Sequence, residues 1–144
     1  MEIQSFDAVT DEGRAIRTAA FVVEKNYRSE FDEWDEPGHA THLLAFGDDG
    51  RPVATCRFYP DDEHPDQPGR WVIGRLAVNA NERGHGIGKT LLAEAERRID
   101  EAGGTIAAVH AEDHNFALYE HLGYQLTDEV FDGGTHGWMV KTLA

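Results

Sequence analysis

The feature that most constrains the fold is a strand, a glycine-rich loop and a helix that follow one another along the chain. Arg70–Val78 is rich in apolar and β-branched residues and is predicted to be a strand. The loop carries the sequence Arg83-Gly84-His85-Gly86-Ile87-Gly88. The helix is predicted from Ile87 to Ala102, because its apolar residues recur on one face, and Gly103-Gly104 then ends it. The residues of that face are Ile87, Leu91, Leu92, Ala95, Ile99 and Ala102.

This order of elements predicts a binding site for an anion. Glycines allow main-chain N–H groups to converge on a ligand without an intervening Cβ. The start of the following helix adds about half a positive charge. Arg83, Lys89 and the hydroxyl of Thr90 are further candidate donors. We therefore expect a polyphosphate to bind here.

Two nucleotide-binding loops are excluded by spacing. Gly88-Lys89-Thr90 resembles the end of a P-loop, but the first glycine of that motif would fall at position 83, which is Arg83. A dinucleotide fingerprint would need its third glycine one residue later than Gly88. A glycine-rich connection that binds nothing is the remaining plain alternative.

The rest of the chain predicts a mixed α/β domain covering residues 1–144. Strands are predicted over residues 2–9, where apolar residues alternate weakly, and over 41–46 and 52–59, which flank a turn-rich loop. Further strands are predicted over the nearly all-apolar residues 105–111 and over 124–131 and 137–143 as a final pair. A first helix is predicted from an N-cap at Thr10 to about Lys25, a short one within residues 28–36, and another over residues 115–122. Together these elements predict a central twisted mixed sheet of six or seven strands flanked by about four helices.

The composition limits the partners and the compartment. The 144 residues include 27 Asp plus Glu against 13 Lys plus Arg, a net charge of −14 that repels nucleic acid and anionic membrane. Such an acidic, lysine-poor surface resembles that of proteins from salt-loving organisms, although an ordinary acidic cytoplasmic protein is the alternative. The N-terminus does not resemble a signal peptide, and no apolar run is long enough to span a membrane. Together with the single cysteine, Cys56, these features predict a cytoplasmic protein.

The loop satisfies the R/Q-x-x-G-x-G/A signature of the GNAT superfamily of N-acetyltransferases, which the chain resembles over nearly its whole length. Gly74-Arg75-Leu76-Ala77-Val78 looks like the strand that precedes the family's loop. Asn115, Tyr119 and Gly123-Tyr124 resemble a later family motif with a shortened interval between Asn115 and Tyr119. Residues 21–25 and 131–139 resemble one prokaryotic subgroup with a F-x-V-E-Q-type first helix and a late P-H-x-x-M-type segment.

The resemblance implies a GNAT-like fold and transfer of an acetyl group from acetyl-CoA to a primary amine. It implies that the amine attacks directly, that Tyr119 protonates the departing thiolate, and that no metal takes part. Tyrosine suits this role because its ordinary pKa, near 10, lies above that of a thiol. The implied cofactor contacts are Leu76, Ala77, Val78, Arg83, Gly84, His85, Gly86, Ile87, Gly88, Lys89, Asn115 and Tyr119.

The acceptor side is less constrained. Glu24, His42 and His136 are candidates to bind the amine or take its proton, with Glu24 the preferred base. Each has a plainer interpretation, as a helix-surface acid, a paired sheet histidine and a turn residue. The acidic segment 32–36 could attract a cationic amine or simply be a solvated face. The acceptor is expected to be a small-molecule or peptide amine, and the oligomeric state stays open, a homodimer included.

Two other functions compete with the transferase. A non-catalytic module that binds acyl-CoA as a sensor would use the same loop, and a P-loop-like nucleotide hydrolase would use Gly88-Lys89-Thr90. A metal site at His110 and His114 is not predicted, because the glutamate of the zinc helix motif is displaced by one position.

Overall fold

The computed structural model describes residues 1–24 and 30–143 of the chain. The strands are β1 (Glu2–Phe6), β2 (Thr41–Phe46), β3 (Pro52–Pro60), β4 (Arg70–Val78), β5 (Ile106–Glu112), β6 (Gln125–Phe131) and β7 (His136–Thr142). The α-helices are α1 (Asp11–Arg17), α2 (Ile87–Glu101) and α3 (Phe116–His121). A π-helical segment covers Thr18–Val23, and short 3₁₀ turns cover Glu33–Asp35, Ala80–Glu82, Asp113–Asn115 and Asp132–Gly134.

The strands form one mixed sheet in the order β1-β2-β3-β4-β5-β7-β6. β4 and β5 run parallel, paired through Arg70–Val72 and Ile106–Ala108. The β1–β2, β2–β3, β5–β7 and β6–β7 pairs are antiparallel. The mixed α/β prediction is confirmed, with seven strands.

The chain divides into two compact units. The first unit comprises Met1–Tyr59 and Arg75–Ala95, and the second comprises Pro60–Gly74 and Glu96–Ala144. In the first unit, Ile16, Ala20, Leu44 and Ala77 form a buried cluster, and three partly buried phenylalanines pack against it. In the second unit, the most deeply buried side chains include Ile99, Ala107, Ala108 and Met139.

The predicted elements are largely observed, with differences near the N-terminus. The predicted strand Arg70–Val78 matches β4 at both ends, and α2 ends one residue before the predicted Ala102. Thr10 caps α1 as expected, since its hydroxyl accepts a hydrogen bond from the Gly13 amide at 2.9 Å. The first strand, however, ends at Phe6, and the first helix continues beyond Arg17 as the π-helix Thr18–Val23. Its predicted end at about Lys25 lies outside the described residues.

The helix predicted within residues 28–36 is observed only as the 3₁₀ turn Glu33–Asp35, while positions 28 and 29 lie outside the described residues. Asp32 caps the start of this turn, because its side chain accepts from the Trp34 amide at 3.0 Å. None of the helices in the described part of the chain is both long enough and apolar enough to cross a bilayer.

Candidate active site

The glycine-rich loop joins β4 to α2 within the first unit. Gly84 and Gly86 have φ angles of 86° and 77°, in the left-handed region that glycine enters without steric cost. A Cβ added at either position would meet no atom of the described chain within 4 Å. The open space beside both glycines is what a closely approaching ligand requires.

The start of α2 presents its first amides at this loop. The helix begins at Ile87, and the amide of Thr90 donates to the Gly86 carbonyl at 3.0 Å. The amides before it precede the first intrahelical bond, so they are available to an anion. The Thr90 hydroxyl also donates to the Gly86 carbonyl at 3.0 Å, which stabilises the loop. His85 and Lys89 are exposed.

Arg83 connects the loop to two other elements of the first unit. Its Nε donates to the carbonyl of Val78, the last residue of β4, at 2.9 Å. Its Nη1 and Nη2 each donate to one carboxylate oxygen of Glu24 at 3.0 Å. This ion pair raises the pKa of Arg83. Two residues that the sequence assigned to separate roles, a phosphate ligand and a base, are therefore bound to each other.

Arg75 marks an irregularity in β4. Its φ of 54° is unusual for a residue other than glycine. In its side chain, Nε donates to the Glu30 carbonyl at 3.1 Å and Nη2 to Asp32 at 3.3 Å. These two contacts anchor Arg75 to residues 30 and 32.

A largely buried set of six charged residues surrounds that anchor, and we call it the arginine–acid network. Its members are Arg17, Arg57, Arg75, Glu30, Asp32 and Asp35. Arg17 binds Glu30 at 2.7 Å and also Asp35, and Arg57 binds Asp32 at 2.6 Å and Asp35 at 3.0 Å.

Asp35 experiences the strongest effect of this network. Its burial alone would raise the pKa of Asp35, but hydrogen bonds from Arg17 and from the main chain of Asp32 lower that pKa to about 2. Asp32 and Asp35 belong to the acidic segment 32–36, which the sequence suggested could attract a cationic amine. Their charges are compensated by arginines of the same chain, whereas Glu33 and Glu36 are exposed.

His42 lies on β2 and is almost fully buried, with 3% of its surface exposed. Its Nε2 lies 3.0 Å from the Trp34 carbonyl, and because a carbonyl only accepts, Nε2 carries the proton. Burial lowers the pKa of His42, which favours the neutral ring. This contact accounts for His42 without a ligand.

Tyr119 and Asn115 lie in the second unit. Tyr119 is half-buried on α3, and its ring meets the ring of Tyr124 edge to face at a centroid distance of 5.6 Å. Tyr124 is buried, and its hydroxyl donates to Glu96 at 2.7 Å. The ring of Tyr119 therefore packs against Tyr124, which is itself held in place by its hydrogen bond to Glu96. Asn115 directly precedes α3.

His136 lies at the start of β7, where the sequence analysis missed an aromatic cluster. Its Nδ1 lies 3.0 Å from the Thr135 hydroxyl. The ring of His110 on β5 lies 5.9 Å from that of His136 and stacks on Trp138 at 5.0 Å, and the exposed Phe131 meets its edge. Partial burial and the nearby His136 lower the pKa of His110. No local sequence pattern indicates this cluster, because His110 and Trp138 become direct partners only through the pairing of β5 with β7.

Two further observations concern nucleophilic and metal-binding side chains. Cys56 is buried, and burial raises the pKa of its thiol to about 12, so the thiolate needed for nucleophilic attack is suppressed. Within residues 1–24 and 30–143, no three or more His, Cys, Asp and Glu side chains are grouped so as to hold a metal ion.

Comparison with known proteins agrees with this geometry. The acetyltransferase (GNAT) family model matches residues 7–124. The chain is similar to a protein of Bacillus subtilis strain 168 that is named as an acetyltransferase, with 32% identity over 88% of this chain and 84% of the relative.

Two solved structures are also similar. One, described as an N-acetyltransferase from Lactobacillus plantarum, has a TM-score of 0.83 and 26% identity, with both chains fully covered. The other, an acyl-CoA N-acyltransferase from Pseudomonas aeruginosa, has a TM-score of 0.79 and 27% identity over 97% of this chain and 98% of that chain. With the glycine-rich loop and the family match in agreement, the chain belongs to the GNAT family of acetyltransferases.

Proposed function

We propose that this chain moves the acetyl group of acetyl-CoA to a primary amine by direct attack, with no covalent enzyme intermediate. The observation that carries the proposal is the loop, where Gly84 and Gly86 adopt left-handed conformations immediately before the first amides of α2. Membership of an acetyltransferase family supports acetyl-CoA as the donor that this loop would bind.

The donor's pyrophosphate would be held mainly by main-chain amides. We propose that the main-chain amides of residues 83 to 89, at the start of the helix, bind it. The side chains of Arg83 and Lys89 would add further contacts. Local geometry has to dominate, because a net charge of −14 opposes the approach of a polyanion. The open space beside Gly84 and Gly86 fits a ligand that approaches the backbone closely.

The pantetheine arm would follow β4 as an added strand. The backbone groups of Leu76 and Val78 would align it, with Ala77 buried between them. β4 pairs with β5 over Arg70–Val72, and residues 76–78 follow Arg75, whose φ is 54°. Asn115 is proposed as a further contact of the donor.

Thioester cleavage requires a base, an oxyanion donor and an acid. The acetyl thioester supplies the electrophilic carbonyl that the neutral amine attacks. The Val78 amide is proposed to stabilise the charge that develops on the carbonyl oxygen. Tyr119 is proposed to protonate the thiolate, since a phenol is a weaker acid than a thiol.

Glu24 is proposed to take the proton of the amine once its carboxylate is available, directly or through water. His136, half-exposed in the second unit, is a further candidate to contact the acceptor. The buried contact of His42 supports a role in packing for that residue. We propose a small-molecule or peptide amine as the acceptor class.

Three measurements test the proposal. Calorimetry compares coenzyme A with ATP, and we expect only coenzyme A to bind. A screen of amine classes with acetyl-CoA, read as free thiol, should identify an acceptor. Tyr119→Phe should then lower transfer by about 10²- to 10⁴-fold and leave the Kd of coenzyme A within about twofold.

Each measurement has an outcome against the proposal. Unchanged transfer by Tyr119→Phe would remove this residue from the acid role. Binding of coenzyme A with no amine acetylated would favour the non-catalytic module. Preference for ATP would favour the nucleotide hydrolase.

A further inference from the structure

The ion pair between Arg83 and Glu24 has the geometry of an arginine bound to an anionic ligand. Both carboxylate oxygens of Glu24 accept from the guanidinium, each at 3.0 Å. A phosphate binds arginine through the same two-pronged contact. Glu24 therefore offers Arg83 the chemistry that the donor's pyrophosphate would offer.

The pair is also exposed enough to exchange partners. The side chains of Arg83 and Glu24 keep 45% and 39% of their surface in solvent. Exposed ion pairs are weak, so a more highly charged anion competes effectively. The third contact of Arg83, from Nε to the Val78 carbonyl, does not involve Glu24 and can keep the side chain in place during the exchange.

On the basis of the proposed function, we infer that Glu24 is an internal competitor at Arg83. The donor's pyrophosphate replaces the Glu24 carboxylate on the guanidinium, and the carboxylate is released. No bond is made or broken, and no proton moves in this step.

The inference fixes the sign of a mutational effect. When a competitor occupies the site, the apparent affinity of a ligand is its intrinsic affinity multiplied by the fraction of molecules in which the site is free. Removing the competitor should therefore tighten the binding of coenzyme A. For a pair with the strength typical of exposed pairs, the gain is about two- to sixfold.

The test measures the Kd of coenzyme A by titration calorimetry at fixed ionic strength. Glu24→Gln removes the anion and keeps the size of the side chain. Glu12→Gln is the matched control, because Glu12 is an exposed carboxylate of α1 and its loss changes the net charge equally. We expect Glu24→Gln to bind about two- to sixfold more tightly than this control.

A second background isolates the contact. In an Arg83→Gln protein, Glu24 no longer has a guanidinium to occupy. Adding Glu24→Gln to that protein should therefore change the Kd of coenzyme A no more than adding Glu12→Gln does. Thermal unfolding of each variant checks that it is folded. A Glu24→Gln protein that binds coenzyme A as the control does, or more weakly, would overturn the inference and indicate that the phosphate binds beside Glu24 on the remaining N–H groups.

Failure of the proposed function looks different. If the wild-type chain does not bind coenzyme A, the function proposed above is wrong. If the wild type binds it and only the difference between Glu24→Gln and Glu12→Gln is missing, the internal competition alone is wrong.

Discussion

Replacing Arg17 with methionine should destabilise the protein strongly, because two buried acids would lose their shared partner. Arg17 is 1% exposed, and its partners Glu30 and Asp35 are 4% and 5% exposed. The substitution keeps a long apolar side chain but removes the cation. Breaking a buried ion pair from one side typically costs about 3–5 kcal/mol in the free energy of unfolding.

Part of this loss should depend on pH through Asp35. The pKa of Asp35 in the folded protein is lowered from 3.8 to about 2, which corresponds to roughly 2 kcal/mol at 1.36 kcal/mol per pKa unit. A lowered carboxyl pKa stabilises the folded state above the unfolded pKa, and this stabilisation is lost as the pH falls from about 4 to about 2. In Arg17→Met the pKa of Asp35 should rise, so the variant should lack most of this acid dependence.

Urea unfolding followed by tryptophan fluorescence, at pH 7 and near pH 2, measures both effects. The difference in stability between wild type and Arg17→Met should be largest at pH 7 and smaller in acid. Arg97→Met is the control, since Arg97 pairs with Glu101 on α2 with both side chains more than half exposed. The reasoning is refuted if Arg17→Met costs no more than this control, or if its cost is the same at both pH values.

Three other predictions follow from single contacts. Gly86→Ala and Gly50→Ala should each lower the free energy of unfolding by about 1–2 kcal/mol, because these glycines have φ angles of 77° and 80°. Only Gly86→Ala should also weaken coenzyme A binding, by at least about tenfold. Equal Kd values for the two variants would contradict a role for the loop. Cys56 should react with iodoacetamide at least about a thousandfold more slowly in the native protein than in urea, because its thiol is buried with a pKa of about 12; rapid native labelling would count against this. Tyr124→Phe should cost about 1–2 kcal/mol in urea unfolding, because it removes the 2.7 Å hydrogen bond to Glu96; an unchanged midpoint would show that this bond is not needed.

The sequence was most informative where a local pattern repeats. The apolar run of β4 and the single apolar face of α2 placed both elements within one residue of their observed ends. The glycines between them could be interpreted because spacing alone separates the competing loop motifs. The candidate pyrophosphate loop therefore lies in a short continuous segment, where local patterns suffice.

Contacts between distant parts of the chain could not be predicted in this way. Arg17 meets Asp35 across 18 positions, and Arg75 meets Asp32 across 43. The acidic segment had the appearance of a solvated face, because a single sequence does not show which arginine each acid binds. For the same reason, Glu24 and Arg83 received separate roles although they contact each other across 59 positions.

The arginine–acid network contains three cations and three anions, so it contributes nothing to the net charge of the protein. The whole surplus of −14 is carried by the remaining side chains. Dissolved ions act on that surplus far more than on the pairs that Arg17 makes with Glu30 and Asp35, whose side chains are all buried. Ionic strength should therefore govern how copies of the molecule repel one another, and hence their solubility and retention on an anion exchanger, while the internal ion pairs keep nearly the same strength.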